Sequence, residues 1–466
     1  MCGGRKESIA TVNAKSNTIS PHQLAVSIIL AVGLIVTIVA AFQARARVIH
    51  REKTGSTRYV NDFDRWMVVV PPFIQHHVPY TSDTFPTPPV TLAVFGPLTW
   101  FSPPNAEFIW AMCKYFFSIG IFWAVYRMAR QTSVKLSVTA ILLILAVWFW
   151  PALQDIQEGQ TNLFMLLPLT LGLCAAQLDA PGWKWLGGIL IAFAVCIKVT
   201  PLVFFIYFLW KRQWHVAGGI LAGLILGLLL IPAAIFGWSQ NLAWLRQWTR
   251  IMIVPYLKGG HLTYFVGQSI PVFIARLIRH VPAFPMHPDK LHPAHYVNVI
   301  NVSGPTSDMI IRMVLITIGL IGLWWSRKVL PTLRDRRYVL EIGAVAAFML
   351  WASPRTWVPH FVTLILTLAA VGMILSDPRI AYITRRRALT ALSAAAFLMF
   401  LTTDVAKVFG PDGHRWMLTI GVSFWASVLL MLIIFTTRFN DQPLPSAAPD
   451  AANPTAGTFS TGHPIT

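Results

Sequence analysis

The chain has 466 residues, of which 55% are hydrophobic and only 12% charged, too much apolar side chain to enclose in one water-facing globule. Its net charge of +19 does not single out nucleic acid, because Lys and Arg gather at the ends of apolar runs, where membrane topology accounts for them. Membrane lipids, with anionic heads among them, are the expected surroundings.

Apolar runs recur along nearly the whole length, at 24–42, 106–126, 136–150, 162–178, 185–197, 201–210, 216–236, 309–325, 340–352, 357–375, 388–401 and 417–436. They predict an all-α polytopic membrane protein of about twelve transmembrane helices, and exclude an anchor joined to a soluble domain. The first run lacks a small-residue cleavage site and is expected as a retained helix. Several runs are short for a full span, and short helices around polar breaks suggest a shaped cavity. Of Cys2, Cys113, Cys174 and Cys196, three lie in apolar runs as small hydrophobes, so neither a disulfide nor a cysteine metal site is expected.

Orientation follows from basic residues near helix ends. Arg127, Arg130 and Lys135; Lys211 and Arg212; Arg327, Lys328, Arg334, Arg336 and Arg337; and Arg379, Arg385, Arg386 and Arg387 share one side if both termini are cytoplasmic. The Pro-bounded stretch 86–104 must then be interfacial or re-entrant, and Arg45, Arg47, Arg51, Lys53 and Arg58 fall outside, against the usual bias. The expected organisation is a cytoplasmic segment 1–23, a membrane domain 24–437 and a disordered cytoplasmic tail 438–466 rich in Pro, Ala, Asp and Thr. Exoplasmic loops at 43–105 and 237–308 are expected to carry juxtamembrane helices, in a multi-pass protein of the plasma membrane.

The polar residues hardest to explain fall on the outer side. Asp62 and Asp64, in Asn61-Asp62-Phe63-Asp64-Arg65-Trp66, stand out in a chain with 18 acidic residues. Either could cap a helix or pair with Arg65, or serve as the single base that takes a proton from an acceptor hydroxyl when a phosphate departs. The Asp-x-Asp spacing alone does not argue for a metal. Glu158-Gly159-Gln160-Thr161-Asn162, with Asp155 nearby, opens a helix whose free backbone donors suit an anion or a sugar hydroxyl, though an ordinary polar helix start reads the same way. Lys198 interrupts a long apolar stretch, where a lysine must snorkel or meet an anion. Arg355 and His360, in Ser353-Pro354-Arg355-Thr356-Trp357-Val358-Pro359-His360, sit at a similar break; arginine offers a planar fork for phosphate, and histidine can donate to it or move a proton. The second loop mixes Trp244, Arg246, Trp248, Arg250, Tyr256, Lys258, His261, Tyr264, Gln268, Arg276 and Arg279, with amphipathic character over 266–278. Such a segment can lie in the interface, its cations on lipid phosphate and its rings on sugars, or simply anchor there.

These pieces together resemble glycosyltransferase family 87, membrane enzymes of the GT-C type that use polyprenyl-phosphate sugars. Asp62-Phe63 followed by Trp66 resembles the family's acidic outer-loop motif, and Pro79-Tyr80 with Pro88-Pro89 and Pro97 the segment after it. Gly159-Gln160-Thr161-Asn162 resembles its Gly-Gln-x-Asn, Lys198-Val199-Thr200-Pro201 its Lys-x-x-Pro, and Ser353-Pro354 with Trp357 and His360 its Ser-Pro-x-x-Trp-x-x-His. Where members carry a second polar residue in the last motif, this chain has Val358 and Pro359. The resemblance implies a hexosyltransferase, with mannose the expected sugar, acting on a glycan or glycolipid acceptor at the exoplasmic face. It implies Asp62 as general base with Asp64 as the alternative, His360 beside it in the catalytic set, and Lys198, Arg355, Gln160, Asn162 and Arg250 on the donor phosphate or sugar. No metal or cofactor is expected. The rival reading is a transporter or flippase for a lipid-linked or anionic solute, which would line both faces with polar residues.

Overall fold

The structure is a computed structural model that describes residues 21–76, 78, 80, 85–260, 263–284, 294–410 and 412–437. Pro79, His261, the first twenty residues and the tail from 438 therefore lie outside the described residues. The protein is all-α; among the described residues the only strands are Pro282–Phe284 and His295–Tyr296, which pair antiparallel. Every one of the twelve apolar runs is helical. Seven helices are long and apolar enough to cross a membrane: Ser27–Thr54, Pro103–Gln131, Val138–Gln157, Trp214–Phe236, Gly304–Trp325, Val358–Ser376 and Gly413–Thr436. Asn162–Ala176, Pro181–Ile197, Thr200–Trp210 and Arg336–Ala352 are shorter, and Tyr382–Phe400 carries Arg385, Arg386 and Arg387 in its first two turns. The stretch 86–104 holds only the short helices Val90–Phe95 and Gly96–Trp100.

Packing sorts these helices. In Val358–Ser376, 89% of the apolar window is buried, against 11% in Gly304–Trp325, so the former is the centre and the latter faces the surroundings. Helices Pro181–Ile197 and Trp214–Leu224 approach at glycine: a Cβ on Gly188 would meet Val216 O at 2.2 Å, and one on Gly219 would meet Trp185 O at 2.3 Å. Small residues at such crossings let backbones touch where lipid offers no hydrophobic drive.

The first helix, Pro21–Thr54, continues twelve residues beyond the apolar run that announced it. Ala40, Ala41, Ala44 and Val48 are buried along it, and Arg51 reaches Asp64 through two contacts of 2.9 Å. Arg45, Arg47 and Arg51 are thus helical, and Arg51 is held by an internal carboxylate.

A second, aromatic core joins the two large loops. Phe63, Trp66, Met67, Val70 and Phe73 fall on one face of the helix Asp62–His76 and pack with Phe85, Phe95, Trp110, Trp244 and Trp248. Indole donors close it, Trp244 onto Val78 O and Trp248 onto Pro86 O, both at 2.9 Å. Each such ring contributes about 2 kcal/mol or more by burial. This core fixes the base of the helix that begins at Asp62.

Candidate functional site

Asp62 is the first residue of its helix, and Asn61 caps it: Asn61 Oδ1 accepts from the Asp64 amide at 2.9 Å. The Asn61 amide group donates to Glu107 Oε1 (2.7 Å) and Gln157 O (3.1 Å), so the cap is tied to two other helices. The two aspartates then part company. Asp64 is fully buried, chelated by Arg51 and by the Val60 amide at 3.0 Å. Asp62 keeps a third of its side chain exposed, pairs with Arg65 at 2.8 Å and accepts from the Gln160 amide.

Gln160 reaches Asp62 because of how helix Val138–Gln157 ends. The Gln160 amide donates to Asp155 O (3.0 Å) and the Gly159 amide to Ile156 O (3.3 Å), with Gly159 left-handed at φ +62. That is a Schellman cap. Glycine is needed there twice, since a Cβ would also lie 2.7 Å from the Phe63 Cβ and amide. The loop therefore lies directly on the start of the Asp62 helix, and the Asp62 amide donates to Glu158 O at 3.3 Å. Burial first, then the neighbouring Asp62 carboxylate, pushes the Glu158 carboxyl above its usual range.

Two residues on, Asn162 begins the next helix, and its Oδ1 accepts from Lys198 Nζ. Lys198 also lies 3.0 Å from His360 Nε2. Lys198 is the cap residue where helix Pro181–Ile197 stops, and His360 sits in the tight first turn of Val358–Ser376. Asp62 and Asp155 both lie within electrostatic range of the Lys198 charge. Two polar atoms here, Asn162 Nδ2 and His360 Nδ1, are buried without a partner among the described residues. Buried polar groups left open are uncommon except where a ligand or water completes them.

Beneath the site a fully buried ion pair holds the Gly159 loop. Lys114 Nζ lies 3.2 Å from Asp155 Oδ1 and 2.5 Å from Asp155 O, while Asp155 Oδ2 accepts from the Asn162 amide at 3.2 Å. The pairing of Arg65 with an aspartate was readable from the sequence, whereas Lys114 and Glu107 did not stand out there. Both were detectable, since they are ionisable residues seven apart, on one face of a membrane-length helix.

Arg355 lies in the same break as His360, its guanidinium 5.2 Å from the Tyr256 ring. Arg250 is exposed near the end of helix Trp238–Met252, and among the described residues it makes no hydrogen bond or ion pair with Asp62 or Lys198. Trp244 and Trp248 are core residues, so their faces are not open to a sugar. Arg276 is buried and donates to the carbonyls of Tyr264, Phe265 and Gly267, closing a loop. Among the described residues no group of three His, Cys, Asp or Glu side chains could hold a metal ion.

The site thus gathers a part-exposed carboxylate, a half-buried lysine, a histidine and two amides from four separate stretches of chain. Residues 85–354, more than half the chain, match glycosyltransferase family 87, and the chain belongs to that family. It is 26% identical over 297 residues to a polyprenol-phosphate-mannose-dependent alpha-(1-2)-phosphatidylinositol pentamannoside mannosyltransferase of Mycolicibacterium smegmatis, covering 60% of this chain and 59% of that one. It is 22% identical to a polyprenol-phosphate-mannose-dependent alpha-(1-2)-phosphatidylinositol mannoside mannosyltransferase of Mycobacterium tuberculosis, over 77% of this chain and 78% of the relative. The match to the first relative thus spans less than two thirds of its length.

Proposed function

We propose that the protein is a membrane mannosyltransferase that moves one mannosyl unit from a polyprenyl-phosphate donor to a hydroxyl of a glycolipid or glycan acceptor. The observation that carries this reading is the convergence of Asp62, Gln160, Asn162, Lys198 and His360 in a chain of family 87, next to buried polar atoms that lack partners among the described residues. The names of the relatives supply the donor and the sugar.

In this account the acceptor oxygen attacks the anomeric carbon while the bond from that carbon to the phosphate oxygen breaks. The electron pair leaves with polyprenyl phosphate, and the acceptor proton passes to Asp62. One displacement inverts the anomeric configuration. Lys198 and His360 meet the donor phosphate, with Arg355 and Arg250 as further cations along its approach, and Gln160 and Asn162 orient the sugar and Asp62. Asp62 is favoured over Asp64 as the base because Asp64 is already held by Arg51 and the Val60 amide.

The same account has about twelve spans within 24–437, the five shorter or more basic helices crossing with the seven long ones. The site faces the exoplasmic side of the plasma membrane, and segments 1–23 and 438–466 are cytoplasmic. Helix direction supports a single face: Pro103–Gln131, Val138–Gln157, Thr200–Trp210 and Arg336–Ala352 each have site residues or their supports at one end and Lys or Arg at or just beyond the other.

Membranes containing the protein, given polyprenyl-phosphate mannose labelled in the sugar, are expected to release polyprenyl phosphate and label a lipid or glycan with inverted configuration. Transfer from nucleotide-activated mannose but not from the polyprenyl donor, or a product of retained configuration, would contradict the reading.

A further inference from the structure

A cavity of about 460 Å³ opens between helices Tyr382–Phe400 and Val422–Thr436, apart from the site described above. Arg386, Arg387 and Thr390 line one part of it, with Ile383 beyond them, and Ala391, Ala394, Leu429 and Leu432 line most of the rest. Arg386 and Ala394 are eight helical residues apart, about 12 Å along the axis. The cavity is therefore a cationic mouth over an apolar trough.

Both arginines are exposed, and among the described residues neither has a carboxylate partner. The nearby Arg379, by contrast, is committed to Asp377 at 2.8 Å. The trough opens outward: Leu432 is 53% exposed, and Phe397, one turn past Ala394 on the same helix, is 61% exposed. Large apolar side chains are exposed to that degree on helices that meet hydrocarbon.

We infer that this groove binds one anionic diacyl phospholipid, with its phosphate between Arg386 and Arg387 and an acyl chain along Ala391, Ala394 and Leu432. Free phosphate would satisfy the arginines but leave the trough unfilled. A peptide would bring backbone groups that an apolar trough cannot pair. A zwitterionic lipid would fill the trough without net charge to balance two guanidiniums.

Native mass spectrometry of the detergent-purified full chain, given equimolar phosphatidylglycerol and phosphatidylcholine, tests this. Retention of phosphatidylglycerol is expected to exceed that of phosphatidylcholine by about tenfold or more. Arg386→Gln with Arg387→Gln should abolish the preference, whereas Arg130→Gln with Arg327→Gln, which removes the same charge elsewhere, should leave it. Ala394→Trp, which fills the trough and keeps both arginines, should displace the lipid as well. Equal loss from both charge pairs, lipid retention unchanged by either groove variant, or displacement by millimolar inorganic phosphate alone would each overturn the assignment.

Discussion

Asp62 and Asp64 are two residues apart and chemically identical, yet their neighbours give them different work. Asp64 links the first helix to the second through Arg51, while Asp62 is left part-open against Gln160. The acidic motif was legible in the sequence. The different partners of its two aspartates were not, because Arg51 lies beyond the apolar run and nothing in composition shows that the helix continues to reach it. In the proposed reaction Lys198 meets the donor phosphate. Lys198→Met is expected to lower kcat/KM for the donor by about 10- to 100-fold, the value of a charge-assisted hydrogen bond to phosphate, with Lys198→Arg recovering part of it. Steady-state transfer with varied donor checks this. Gly159→Ala strains a left-handed residue and drives a methyl into Phe63. It is expected to destabilise by about 1–3 kcal/mol, read as a lower melting temperature in detergent, and to weaken transfer by displacing Gln160.

Helix ends repeat a few closing devices across the fold. Pro103–Gln131 and Val203–Trp210 finish with the same Schellman cap as the Gly159 loop, but with Ser133 (φ 60) and Arg212 (φ 56) in the left-handed position. The bonds are Val134 N to Ala129 O at 3.4 Å and Gln213 N to Phe208 O at 2.9 Å. Ser133→Gly and Arg212→Gly are each expected to stabilise by up to about 1 kcal/mol, seen as a raised melting temperature. Several basic residues that marked topology also close the structure: Lys211 bonds Glu341 at 2.9 Å, and Arg336 and Arg379 hold Asp377. Burial raises the Asp377 carboxyl, but hydrogen bonds from Arg379 and Arg336 outweigh it and hold the group below its usual range. A depressed carboxyl contributes stability that is present above its unfolded value and is lost as pH falls through the folded one. The melting temperature should therefore fall as pH drops below about 4, and Asp377→Asn should flatten that fall. The apolar runs were legible as helices; their true ends were not, because caps and ion pairs set them.

For the whole molecule, composition alone required a lipid solvent, and every apolar run is a helix. What composition could not convey is that the two large loops share one aromatic core, since Phe63, Phe95 and Trp244 meet only through long-range packing. That core and the Lys114–Asp155 pair under it make the Asp62 corner a rigid part of the protein. In the proposed reaction this corner, at Asp62, takes the acceptor proton. The most direct measurement is mannose transfer from polyprenyl-phosphate mannose by wild type, Asp62→Asn and Asp64→Asn at matched protein level, with melting temperature recorded for each. The account predicts that Asp62→Asn melts like wild type and loses transfer by about 100-fold or more, while Asp64→Asn loses stability along with its activity. Transfer by Asp62→Asn within a few-fold of wild type would contradict it.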